Sequence, residues 1–187
     1  MTEIADAVLA APARLGSVRL VAIDGPSGSG KSTLASALAT ELAERGVRAA
    51  IVPTDHFATW TDPVSWWPRL VDGVLTPLAS GETGRYQRMD WSSGVPRLGE
   101  EIVVAVPEVL IVEGVSSGRT SVRPALSGLV WVEVSPADAR LELAVARDGE
   151  AARPDFVRWQ AFEAGWFAVD GTRTAAEIRI ESVIESR

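Results

Sequence analysis

The sequence predicts an α/β fold: a mostly parallel sheet covered on both faces by helices, a three-layer α/β/α sandwich. Three observations predict it. Short apolar runs alternate with stretches of helical periodicity along most of the chain, the pattern of strands joined by crossover helices. Some runs, Val109-Leu110-Ile111-Val112 above all, are apolar without alternation, as strands buried on both faces are. Polar features lie just past the carboxyl ends of the runs, at Gly25 to Ser32, Asp55 and Glu113-Gly114, where the ligands of such sheets gather.

Taken in order, Ala5 to Ala13 is nearly all small and apolar, and residues 1–16 read as a short helix or a loose arm. Val18 to Ile23 reads as the first strand, and Thr33 to Leu42 as a helix stopped by Gly46. Val47 to Val52 is a second strand ending at Pro53-Thr54-Asp55, followed by a loop-and-helix region to about Ser80 that is crowded with Trp60, Trp66 and Trp67. Glu101 to Val106, Val109 to Val112 and Leu129 to Val134 are further strands, and a small β hairpin insertion is expected in the fold. Helices are expected over Pro136 to Arg147 and Phe156 to Ala168, and Ala176 to Ile180 closes as a last strand. With no internal repeat or low-complexity linker, residues 1–187 are expected to form one domain.

Composition narrows the function. The net charge of −7 argues against a surface that coats nucleic acid, which relies on clustered cations. No apolar run is long enough for a membrane span, and the N-terminus lacks a charged-then-apolar signal pattern. Absence of cysteine removes disulfides and thiolate metal sites, which suits a cytoplasmic protein. Self-association into a homo-oligomer stays open.

The chain has one lysine among 18 Lys and Arg, and it is Lys31, inside Gly25-Pro26-Ser27-Gly28-Ser29-Gly30-Lys31-Ser32-Thr33. This is a phosphate-binding loop, G-x-x-x-x-G-K-[ST], lying between a strand and a helix as that motif requires. Glycines let successive N–H groups face phosphate oxygens, and the helix start adds its dipole. The lysine ammonium is a point charge for the β- and γ-phosphates, and the Ser32 hydroxyl reaches Mg²⁺. Gly25, Ser27, Gly28, Ser29, Gly30, Lys31, Ser32 and Thr33 are therefore the expected nucleoside triphosphate contacts, and the fold is expected to be that of a P-loop NTPase.

Phosphoryl transfer asks a protein for positioning and charge neutralisation. Asp55 is the candidate to orient an acceptor hydroxyl and take its proton; the alternative for it is a turn carboxylate. Glu113 is expected on the metal side with Ser32, the alternative being a capping acid. Arg140 and Arg147 share a helix face, and Gly149 and Pro154 bound what reads as a mobile helical lid carrying Arg153. Lid arginines stabilise charge on a transferring group, whereas the plainer reading is a salt-bridged surface. Tyr86, Arg88, Asp90 and Trp91 mix aromatic, cationic and acidic groups suited to a small-molecule acceptor, with His56, the one histidine, as a pocket residue. Trp60, Trp66 and Trp67 either line that pocket or form a satellite core.

With these residues in view, the chain resembles the uridine kinase and phosphoribulokinase-like family of P-loop kinases. The likeness runs through Ile23 to Ala35, Thr54-Asp55-His56-Phe57, Met89-Asp90-Trp91, the strand pair ending in Glu113-Gly114, and Arg140-Leu141 with Arg147-Asp148. It implies an ATP- and Mg²⁺-dependent kinase acting on a hydroxyl, with Asp55 as base and Arg147 in the lid. Departures lie on the acceptor side: Ala58 and Met89 stand where the family carries tyrosines, no histidine follows Trp91, and Leu143 and Ala144 occupy lid positions often basic. A nucleotide-binding relative without transfer activity, a sensor or degenerate form, is the alternative. A switch GTPase needs an Asn-Lys-x-Asp segment, for which the chain has no second lysine.

Overall fold

The computed structural model describes residues 1–91 and 95–183, together with all their side chains except that of Arg147. Helix α1 (Thr2–Ala10) precedes strand β1 (Arg19–Asp24), helix α2 (Lys31–Glu44) and strand β2 (Ala49–Pro53). Helices α3 (Trp67–Leu70) and α4 (Thr76–Ala79) lead into the strands β3 (Gly84–Asp90) and β4 (Arg97–Val104), and β5 (Val109–Glu113) and β6 (Leu126–Ser135) follow. Helices α5 (Ala137–Asp148), α6 (Arg153–Asp170) and α7 (Thr172–Ala175) precede β7 (Ile178–Val183).

The main sheet has five strands in the order β2-β5-β1-β6-β7, and every pairing is parallel. Its strands divide their side chains between two cores. Leu20, Ala22, Leu110, Val112, Leu129 and Trp131 face one side with Leu70, Val74 and Leu78. Val21, Ile23, Val109, Ile111, Val130 and Val132 face the other, against Leu38 and Leu42 of α2 and Ile4 and Val8 of α1. Each such buried aliphatic side chain contributes about 1.5–3 kcal/mol relative to exposure. The N-terminal segment is therefore a helix docked on the sheet, held also by an Asp6–Arg45 ion pair at 2.5 Å.

Helix α2 ends as its glycine promised. Gly46 turns left-handed at φ 77°, and its N–H and that of Val47 close on the carbonyls of Ala43 and Leu42, a paired C-terminal cap. Between α3 and α4 the backbone widens into a π-turn over Val71–Leu75, just before Pro77, whose ring cannot follow a regular helical turn.

One expectation is corrected. The run Glu101 to Val106 does not join the parallel sheet; β4 pairs antiparallel with β3 in a separate hairpin, and Ala105 and Val106 lie past its end. Most of its residues are exposed, with only Gly99 and Ile102 half-buried and Val104 buried, so it lacks the two-sided burial that the parallel sheet demands. Among the described residues no helix is long and apolar enough to cross a membrane.

Candidate functional site

The loop after β1 has the shape of an anion cradle. Gly28 and Gly30 adopt φ of 77° and 85°, a left-handed conformation that a side chain resists. They serve different needs. A Cβ at Gly28 would sit 2.5 Å from the Arg140 carbonyl, because α5 backs onto the loop, whereas Gly30 faces open space. The Ser29 hydroxyl is buried with no hydrogen-bond partner, an orphan donor that a phosphate oxygen would satisfy. Lys31 is 8 % exposed, and its Nζ donates to the Pro26 carbonyl at 2.8 Å. These residues fit a nucleotide phosphate chain.

Beneath the loop lies Asp24, fully buried. Its carboxylate accepts N–H bonds from Gly25 at 2.7 Å, Ser116 at 3.1 Å and Gly118 at 2.8 Å. Burial pushes its pKa up to about 7, against the opposing pull of those amides and of Lys31. Asp24 thus ties the start of the phosphate loop to the segment after β5.

That segment also positions Glu113. Gly114 holds φ at 124°, and a Cβ there would lie 1.9 Å from Thr54 Oγ1, so the ends of β5 and β2 abut. Ser32 Oγ donates to Glu113 Oε1 at 3.0 Å. Two adjacent oxygens suit a Mg²⁺ ion that keeps several waters and takes its remaining ligands from phosphate. Among the described residues no cluster of three or more His, Cys, Asp or Glu could hold a metal ion.

Asp55 sits exposed in a single turn, Thr54–His56, directly after β2. It opens onto a cavity of about 750 Å³ whose lining includes Ser27 of the phosphate loop, His56, Arg88, Asp90 and Trp91. Six of the residues expected at an acceptor or donor site therefore share one space. The far wall comes from the end of α5 and the start of α6, where the lid was expected: Asp148, Asp155, Phe156 and Trp159. Trp60 bridges the two walls, meeting Trp91, Phe156 and Trp159 edge to face at 5.4–5.7 Å, a favourable aromatic geometry. Trp66 and Trp67 belong to the core.

The structure places other expected residues elsewhere. Tyr86 is buried, stacks on Phe57 at 4.7 Å and does not line the cavity; its hydroxyl lies 2.8 Å from Nδ1 of His56, which does. Burial pushes the tyrosine up to about 12 and lowers His56, so both are neutral near pH 7. Arg153 lines neither of the two main cavities; it binds Glu142 at 2.6 Å and Glu150 at 2.5 Å and locks the α5–α6 corner. Those bridges occupy the guanidinium that was expected at the nucleotide. Arg147 belongs to α5, and its side chain lies outside the described residues. Arg140 donates to the Val134 carbonyl at 2.6 Å and lines a second cavity of about 440 Å³, with Pro26, Trp131, Gln160 and Phe167.

Sequence reasoning missed Glu163. It is 2 % exposed, and both carboxylate oxygens lie 3.1 Å from the Ser27 N–H, with the Ser27 hydroxyl donating as well. Burial raises its pKa; Lys31, the Ser27 bonds and the Trp159 side chain counteract. The available signal was its spacing: Phe156, Trp159, Glu163 and Phe167 recur at helical intervals, placing an acid on an apolar face.

Sheet order and phosphate loop together define a P-loop α/β fold. Solved structures agree. A possible uridine kinase from Bacillus stearothermophilus superposes with a TM-score of 0.69 at 17% identity over 96% of both chains. A protein described as a fructose transport system kinase from Silicibacter sp. TM1040 gives 0.64 at 20% identity over 98% of both, and D-glycerate 3-kinase from Cryptococcus neoformans gives 0.62 at 14% over 87% of both. At such identities the shared property is the fold. The family model of the methylmalonyl-CoA mutase-associated GTPase MeaB matches residues 2–62, less than half of the chain. No curated protein sequence matches.

Proposed function

We propose that this chain is a Mg²⁺-dependent small-molecule kinase, with ATP as donor and a hydroxyl compound as acceptor, in the manner of uridine kinase. The observation that carries the reading is that Ser27 of the phosphate loop and Asp55 line the same cavity. Bound Mg·ATP would supply the phosphoryl group. Lys31 and the loop amides neutralise charge on it, Ser32 and Glu113 orient the metal, and Asp55 holds the proton of the acceptor hydroxyl. The aromatic wall around Trp60 excludes water, so that transfer to the acceptor outruns hydrolysis.

The test is acceptor-dependent ADP release with a panel of nucleosides, sugars and hydroxy acids. The MeaB match makes GTP worth running beside ATP, although the lone Lys31 precludes the Asn-Lys-x-Asp guanine motif. A specific observation favours a second reading, nucleotide binding without transfer: Ala58 and Met89 stand in the acceptor segments where related kinases carry tyrosine. Nucleotide binding with no phosphorylated product across the whole panel would select it.

A further inference from the structure

The Ser27 amide is an anion-binding group of the phosphate loop, and in this structure its anion is the Glu163 carboxylate. The contact is built. Two oxygens reach one N–H at 3.1 Å, the Ser27 hydroxyl donates to the same carboxylate, and the Lys31 charge favours its ionised form. Burying a carboxylate is costly unless charge and hydrogen bonds offset the lost hydration, and the loop provides both. Protein anion and phosphate anion therefore share one set of donors.

Ser27 is also the loop residue that lines the acceptor cavity. A phosphoryl group meeting its amide is the one that faces the acceptor, the terminal one. We infer that Glu163 is a specificity-determining residue for the donor: it competes with the terminal phosphoryl group for the Ser27 amide, and so weakens triphosphate relative to diphosphate until α6 lifts from the loop. The β-phosphate, seated on the amides of residues 28–32, does not meet this competitor. Glu163 thereby couples the donor site to the lid, since Trp159, one turn earlier on α6, forms part of the acceptor wall. The inference rests on the proposed nucleotide site.

Calorimetric titration of wild type, Glu163→Gln and Ser27→Ala with Mg²⁺ and either ADP or a non-hydrolysable ATP analogue tests it. In Glu163→Gln, analogue affinity should rise about tenfold, the worth of removing one charged hydrogen-bonded competitor, while ADP affinity changes less than about twofold. Ser27→Ala, which loosens the carboxylate without removing it, should show the same selectivity to a smaller degree. Thermal melts of each variant establish that it is folded. A purely structural Glu163 would weaken both nucleotides together, and that result, or unchanged analogue affinity in both variants, overturns the inference while leaving the nucleotide site intact. If wild type and variants bind neither nucleotide, the proposed function falls with it.

Discussion

The proposed donor and acceptor sides of this site are built by opposite means. On the donor side four charged or polar groups are held by short, mostly buried contacts: Asp24 on three amides, Lys31 on Pro26, Ser32 on Glu113, Glu163 on Ser27. On the acceptor side, Asp55, Arg88 and Asp90 are exposed, and the walls are held by aromatic edges at Trp60. A phosphate chain is the same in every donor, so its receptor can be rigid. An acceptor differs from kinase to kinase, and on the proposed reading its receptor is made of side chains on the hairpin and on α5 and α6, which can be exchanged without disturbing the sheet.

The largest effect should come from separating the two halves chemically. Asp55→Asn is expected to lower acceptor-dependent turnover by about 10²–10⁴-fold, the usual worth of a general base, with nucleotide affinity unchanged by calorimetry. Parallel loss of nucleotide binding would show that Asp55 belongs to the donor half, and the division drawn above would fail.

Next is stability, which the donor half should dominate. Asp24→Ala strands three buried N–H groups, at about 1–3 kcal/mol for a group left unpaired, so a loss on the order of 3 kcal/mol or more is expected in urea melts. Asp24 also sets a pH dependence. Its folded pKa of about 7 lies above the ordinary 3.8, so the folded chain binds more protons between those values. The contribution is fully present below about pH 4 and is lost as pH rises through 7, on the order of a few kcal/mol. Melts at pH 5 and pH 8 should show it, and Asp24→Asn should flatten the difference.

The same contrast explains what could be read from the sequence. The phosphate loop was legible because its geometry is local: glycines at fixed offsets dictate the backbone, and the lysine follows. Glu163 was not, because its contact spans 136 positions and no local pattern says which loop a buried acid will meet. Strands β1, β5 and β6 announced themselves by two-sided apolarity. Strand β3 did not, since a register shift between Gln87 and Met89 breaks the alternation that would have marked it. The tryptophans could be read as pocket or core, and both occur: the packing of Phe57 takes Trp66 inward, while Trp60 remains at the cavity.

Acceptor binding should respond to Trp60→Ala with little effect on the fold. Trp60 is 37 % exposed but joins both walls, so KM for the acceptor is expected to rise about tenfold, the scale of losing one aromatic anchor, with donor KM unchanged. An equal rise for donor and acceptor would mean that the aromatic wall supports the phosphate loop as well.

The smallest effect is the most informative about the acceptor. Arg88 is the one guanidinium among the described residues lining the larger cavity, alongside the carboxylates Asp55, Asp90, Asp148 and Asp155, and it is paired with Glu100 at 3.0 Å on the exposed hairpin. Exposed pairs of this kind contribute about 0–1 kcal/mol, so Glu100→Gln should leave the melting temperature almost unchanged. It does, however, release the Arg88 charge toward the cavity. A neutral acceptor such as a nucleoside or sugar should then show a KM within about twofold of wild type, because no net charge meets the added field. An anionic acceptor would bind more tightly and a cationic one more weakly, both in proportion to falling ionic strength. Because the lining is rich in carboxylates, the neutral outcome is expected, and a salt-dependent shift toward tighter binding would move the search to phosphorylated or carboxylated acceptors.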